Sequence, residues 1–137
     1  MTVAEFVGWT LNNTTAVTAI TSTRIYHGLR ARSSALPAIN YQELGGGSRT
    51  YGIERQPFTI LCRATTPAGA RDLARVVTTA MAGSAGTGIT GTNNGFVLDF
   101  GTLIADQGLI PEALESGKTV YNAPIDIQLV YAASAVT

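Results

Sequence analysis

One histidine, one cysteine and nine carboxylates are the residues of this chain best suited to acid–base or metal chemistry. A general base needs a nucleophile and usually an orienting acid within hydrogen-bond reach. His27 follows the strand-like run Arg24-Ile25-Tyr26, with no recognisable set of partners at a motif spacing, and reads as a surface residue at a strand end. The competing reading has His27, Tyr26 and Glu43 facing a pocket in a small enzyme or ligand-binding module. One His and one Cys cannot close a zinc site, and the carboxylates lack the spacing of a calcium loop. No metal or cofactor is expected.

Cys62 alternates with Ile60 and Ala64, which makes it a buried, inert thiol, and alternation sends Arg63 to the other face. Gly45-Gly46-Gly47 has no lysine nearby and a β-type segment after it, whereas phosphate-binding loops open a helix. It reads as a mobile loop. Asp72 and Asp99, like Glu112 and Glu115, read as solvated polar faces rather than paired catalytic acids. The chain is therefore expected to be no enzyme.

The elements that would position these residues follow from periodicity and capping. Thr2 and Glu5 form a capping box for a helix whose apolar stripe is Val3, Phe6, Val7 and Leu11, ended by Asn12-Asn13. Thr14 or Thr15 caps a short second turn carrying Ala16, Val17 and Ile20. Arg24-Ile25-Tyr26 is a brief strand stopped by Gly28. Pro37 opens a strand with Ile39 and Tyr41 on one face, Asn40 and Gln42 on the other. Leu44 to Tyr51 is a flexible loop or a long hairpin tip. Phe58, Ile60 and Cys62 then alternate with Thr59, Leu61 and Arg63, and apolar residues on both faces mark a central strand.

Thr66-Pro67 starts a helix over Ala68–Met81, with Ala70, Leu73, Val76, Val77, Ala80 and Met81 on its apolar face. Arg71, Asp72, Arg75 and Thr79 form the polar face, and Gly83 ends the helix. Ser84 to Gly95 is read as a turn. Phe96 to Ile104 is a strand with Phe96, Leu98 and Phe100 on one face. Val120 to Tyr131 is another, with Ile125, Ile127, Leu129 and Tyr131 inward, Asp126 and Gln128 outward, and Pro124 at an edge or bulge. The expected fold class is α+β: a mainly antiparallel β-sheet flanked by an N-terminal helix and a central helix.

All 137 residues fit a single domain, 1–137, with one core. Charged residues make up 13% of the chain, against about 25% in a typical soluble domain. Either a Thr-rich solvated surface or a partner interface accounts for the deficit. Net charge is zero, and eight of the nine basic residues are arginines, mainly between Arg24 and Arg75. Such a chain has no uniform positive field, which argues against dedicated nucleic-acid binding. One cysteine allows no intrachain disulfide. Met1 to Glu5 carries no export-signal pattern, and no run approaches the roughly 18 apolar residues of a membrane span. A soluble protein made in a reducing cytoplasm is expected, where the glycosylation-like triplets at Asn12 and Asn13 are never used.

In order along the chain, several segments resemble the tail completion or tail terminator proteins of long-tailed bacteriophages. They are the N-terminal helix leading into Ala19-Ile20-Thr21-Ser22-Thr23-Arg24-Ile25-Tyr26, then Leu36-Pro37-Ala38-Ile39-Asn40-Tyr41-Gln42. Next come Phe58-Thr59-Ile60-Leu61-Cys62-Arg63-Ala64 with the Thr/Pro-capped helix, and finally Val120-Tyr121-Asn122-Ala123-Pro124-Ile125-Asp126-Ile127. The likeness covers nearly the whole chain through fold patterns rather than a catalytic signature. Unlike many such proteins, this chain has no charged residue at Tyr121-Asn122-Ala123.

The resemblance implies a structural virion protein made in the host cytoplasm. It would form a ring, commonly a hexamer, at the head-proximal end of the tail tube. That ring would stop tube polymerisation and meet the head-side connector protein, with DNA passing through its lumen and no membrane involved. Another neck or tail structural protein is the alternative within the same particle. Arg49, Tyr51 and Arg55, in a loop too polar to pack and expected to be mobile alone, are the candidate contacts with a neighbouring subunit or the tail tube. An ordinary solvent-exposed hairpin tip is the competing reading, and Arg49 facing DNA in the lumen is a further one.

Overall fold

The computed structural model of the protein describes residues 2–28, 35–83, 89–93, 96–114 and 116–132. Helix α1 (Val3–Asn12) opens with the capping box: the Glu5 amide donates to Thr2 Oγ1 at 3.1 Å, and the Thr2 amide donates to Glu5 Oε2 at 2.8 Å. It closes where the amides of Asn12 and Asn13 fold back onto the carbonyls of Gly8 and Trp9, each at 2.8 Å. Helix α2 (Thr15–Thr21) begins after Thr14 without a side-chain cap. The Thr14 hydroxyl donates instead to the Thr10 carbonyl of α1 at 2.7 Å. Helix α3 (Pro67–Ala82) has the expected start, with Thr66 Oγ1 accepting from the Gly69 amide and Pro67 at the first helical position. Gly83, at φ 81°, ends it.

The strands are β1 (Ile25–His27), β2 (Ala38–Glu43), β3 (Ser48–Thr50), β4 (Ile53–Ala64), β5 (Ile89–Asn93), β6 (Phe96–Asp106), β7 (Ile110–Ala113) and β8 (Thr119–Ala132). They form one sheet in the order β1-β2-β4-β8-β6-β5, with β3 beside the start of β4 and β7 beside the start of β8. Every pairing is antiparallel except β1 with β2. Helix α2 packs against both α1 and α3, and those two pack on one face of the sheet. There Phe58, Ile60 and Cys62 of β4 and Ile125, Ile127 and Leu129 of β8 meet Phe6, Leu11, Leu73, Val77 and Met81, each almost wholly excluded from water. The α+β class is as expected, and β4 is central between β2 and β8.

Four details differ from the sequence reading, each for a local reason. Part of Ser84–Gly95 lies outside the described residues, but Ile89–Asn93 is a strand paired with β6 rather than a turn. Leu98 is buried whereas Phe100 is 41% exposed, so they do not share a face. A register shift opposite β5 inserts one residue between them, and a one-residue slip turns a side chain over. Asn40 does face away from Ile39, yet it is only 1% exposed, and its amide donates to the Gly28 carbonyl at 3.0 Å.

Pro124 sits inside a central strand, opposite Leu61 of β4. Its carbonyl accepts from Gln107, between the end of β6 and the start of β7, so its missing donor faces the gap between those strands. The ladder loses nothing there. Pro57 repeats the device, its carbonyl accepting from Leu44 just beyond the last β2 pair.

Candidate interaction surfaces

The segment from Leu44 to Arg55 is a hairpin that extends the sheet beyond β2. Thr50 pairs with Ile53, leaving Tyr51-Gly52 as a two-residue turn with φ of 52° and 76°. Such turns need positive φ at both central positions, which Asn-Gly adopts at least cost. Here an aromatic residue occupies the first position and is 99% exposed. Strand alternation splits the three candidate contacts. Arg49 lies across from Glu54 and pairs with it on the helix side, near Tyr131. Arg55 points to the opposite face, across from Ser48 and Val130, and makes no ion pair among the described residues. The structure thus distributes Arg49, Tyr51 and Arg55 over two faces and a tip.

His27 and Glu43 do come together, Nε2 to Oε1 at 2.5 Å, and the His27 ring stacks on Tyr41 at 5.0 Å. Tyr26 does not join them, because it pairs with Asn40 on the other side of the sheet. Burial, reinforced by the Glu43 carboxylate, pushes the Tyr41 hydroxyl above its ordinary range. Its Oη fills the space a side chain at position 8 would need, which accounts for Gly8 in the middle of α1. The exposed His27–Glu43 pair fits an edge-strand clasp tying the end of β1 to the end of β2.

Cys62 is fully buried, and desolvation, reinforced by Asp106, pushes its thiol far up, leaving no thiolate to react. Arg63 lies on the opposite face as expected, donating to Asn122 Oδ1 at 3.2 Å and pairing with Glu112 at 3.3 Å. Glu112 is therefore paired rather than freely solvated. Glu115 and the side chain of Asp99 lie outside the described residues. Among the described residues, no three His, Cys, Asp or Glu side chains converge as a metal site would require.

Two surfaces were not legible in the sequence. The first is a groove of about 680 Å³ between α3 and the β6–β7 connection. Leu103, Leu109, Ala74 and Ala123 give it an apolar floor, and Arg71 and Arg75, one helical turn apart, rim it together with Thr78 and Thr79. The polar face of α3 thus borders a cleft rather than open solvent. Asp106 also reaches the groove, where its Oδ1 accepts from the Gly108 amide at 3.0 Å. The second is β7, exposed along its whole length and, among the described strands, paired only with β8. Its register places Ile110 and Glu112 on the face away from the helices, and Ile110 is 47% exposed with Leu114 38% exposed beyond it. No periodic signal marked this segment, because Pro111 and two acidic residues interrupt the apolar pattern.

No protein-family model matches the chain, and no curated protein sequence matches it. Among solved structures, the fold is similar to that of a chain in the virion of a native gene transfer agent (GTA) particle. The TM-score is 0.62 at 16% identity, covering 92% of this chain and 92% of that one.

Proposed function

We propose that this chain is a non-enzymatic structural subunit of a phage-like virion. More specifically, it forms a closed ring, a hexamer, on the head-proximal end of the tail tube, where it ends tube polymerisation and meets the head-side connector. The observation that carries the reading is the likeness, across nine tenths of both chains, to a chain of a gene transfer agent virion. The surface supports it from a second direction. Tyr51, Ile110 and Leu114 are large apolar groups left in water at projecting parts of the sheet, where intramolecular packing gives no reason for them. Tyr51 at the hairpin tip, with Arg55 on one flank and the Arg49–Glu54 pair on the other, is the contact for a neighbouring subunit or the tube.

The test adds purified protein to the polymerising tube protein of the same particle and measures tube lengths by negative-stain electron microscopy. The proposal expects closed rings in the protein alone and short tubes with a distinct cap at one end. Open stacks of this chain by itself would reassign it to the tube, since a heterologous contact that fails to close grows without limit. Unchanged tube lengths with no capped ends would overturn the terminator role.

A further inference from the structure

We propose that the arginine-rimmed groove of one copy receives β7 of the next copy, with Glu112 between Arg71 and Arg75, and Ile110 and Leu114 over Leu103 and Leu109. This rests on the ring reading above and names the contact that builds the ring.

Three observations point to a second copy as the occupant. The first is charge. Arg24, Arg49 and Arg63 are engaged within the chain, by the Pro37 carbonyl, Glu54 and Glu112. Arg71 makes no ion pair among the described residues, and Arg75 reaches Asp72 only at 4.0 Å, with both side chains more than half exposed. The groove therefore carries two guanidinium groups without a close ion pair among the described residues, while the Asp106 carboxylate that also lines it accepts from the Gly108 amide. Glu112 is half exposed and uses one oxygen on Arg63, so its other oxygen can accept from a planar guanidinium donor.

The second is apolar matching. The groove floor is lined by leucine and alanine, and Ile110 and Leu114 bracket Glu112 as exposed apolar groups on the segment proposed to enter it.

The third is topology. Leu103 and Ala123 belong to the helix-covered face of the sheet, opposite Ile127 and beside Ile125, whereas Ile110 and Glu112 share the other face with Asn122 and Arg63. Complementary patches on opposite faces cannot meet within one molecule. They suit a head-to-tail contact between copies, the kind that generates rings when the rotation closes.

The experiment uses two full-length variants, examined by native mass spectrometry and light scattering. Arg71→Glu/Arg75→Glu disables the groove and leaves β7 intact, while Ile110→Lys/Leu114→Lys disables β7 and leaves the groove intact. The expected result is a ring for the wild type, a monomer for each variant with wild-type circular dichroism, and a heterodimer when the two are mixed. The mixture retains one good groove and one good β7, so association must stop at two. Variants that assemble like the wild type would overturn the inference, as would a mixture that stays monomeric. Groove variants that keep their rings but lose tube or connector binding would also overturn it, by giving the groove to another protein.

If the β7 variant fails to fold, Glu112→Gln serves in its place, because an amide oxygen can still accept from Arg63. Weakening of subunit association by about tenfold is expected, and unchanged association would count against the contact. Tube capping is read separately. Rings that dissociate as described but never cap tubes would sink the terminator reading and leave this contact standing. Rings that cap tubes with the groove disabled would do the reverse.

Discussion

The centre of the sheet and its projecting ends are made of similar residues under opposite conditions. Beneath α3, Phe58, Ile60, Ile125, Ile127, Leu73 and Val77 are wholly excluded from water, and every one has a packing partner in the same chain. At the hairpin tip Tyr51 is almost fully exposed and sits at positive φ, and on and just after β7 Ile110 and Leu114 are only partly covered. The centre is therefore accounted for by folding free energy alone. The ends are not, since an exposed apolar group contributes almost nothing to a monomer and a left-handed aromatic costs something. This difference separates the residues that make the fold from those that the proposed assembly would use.

The largest expected effect tests the centre. Leu73→Ala removes a buried side chain at the contact between α3 and the sheet, and should destabilise the protein by about 2–5 kcal/mol. Urea denaturation followed by circular dichroism measures it. A loss below about 1 kcal/mol would mean that the core packs less tightly than the burial pattern requires.

Asn40 gives a sharper and smaller test, because it is a buried polar group away from the helices. Asn40→Ala leaves the Gly28 carbonyl without its amide donor and should cost about 1–3 kcal/mol. Hydrogen exchange should locate that loss at the end of β1, beside the His27–Glu43 clasp. A uniform loss across the sheet would show that the bond supports the whole core rather than this edge.

The smallest effect has the opposite sign and bears most directly on the comparison. Tyr51→Asn places a residue suited to φ 52° before Gly52 and should raise monomer stability by up to about 1 kcal/mol. Under the proposed ring role, assembly onto tails, measured by pelleting with tubes, should fall at the same time. A variant that is both more stable and fully competent would reduce the tip to a connector. A variant that loses stability would show that Tyr51 serves the monomer after all.

Much of the fold was legible in the sequence because its signals are local. The Thr2–Glu5 box, the Thr66-Pro67 start, Gly83 and the alternation of Phe58, Ile60 and Cys62 each act over a few residues, and each reappears in the structure. The hairpin was legible only in part. Its glycines and polar residues marked a loop or a tip, but the register of Arg49 against Glu54 decided that Arg49 and Arg55 face apart.

What the sequence determined by itself was the α+β class, the N-terminal and central helices, the central strand and the lack of a recognisable catalytic set, whereas the expected short turn after Thr14 is the seven-residue helix α2. Only the tertiary structure decided which strands are neighbours, how the bulge in β6 buries Leu98 and exposes Phe100, and where Pro124 can stand inside a sheet. It alone brought Arg71 and Arg75 over Leu103, and set Ile110 and Glu112 on the far face. Caps and periodicity arise from hydrogen bonds and side-chain spacing along one element, so they are written locally. Grooves and opposed faces depend on the pairing of residues far apart along the chain, and that pairing is settled by the burial of the core as a whole.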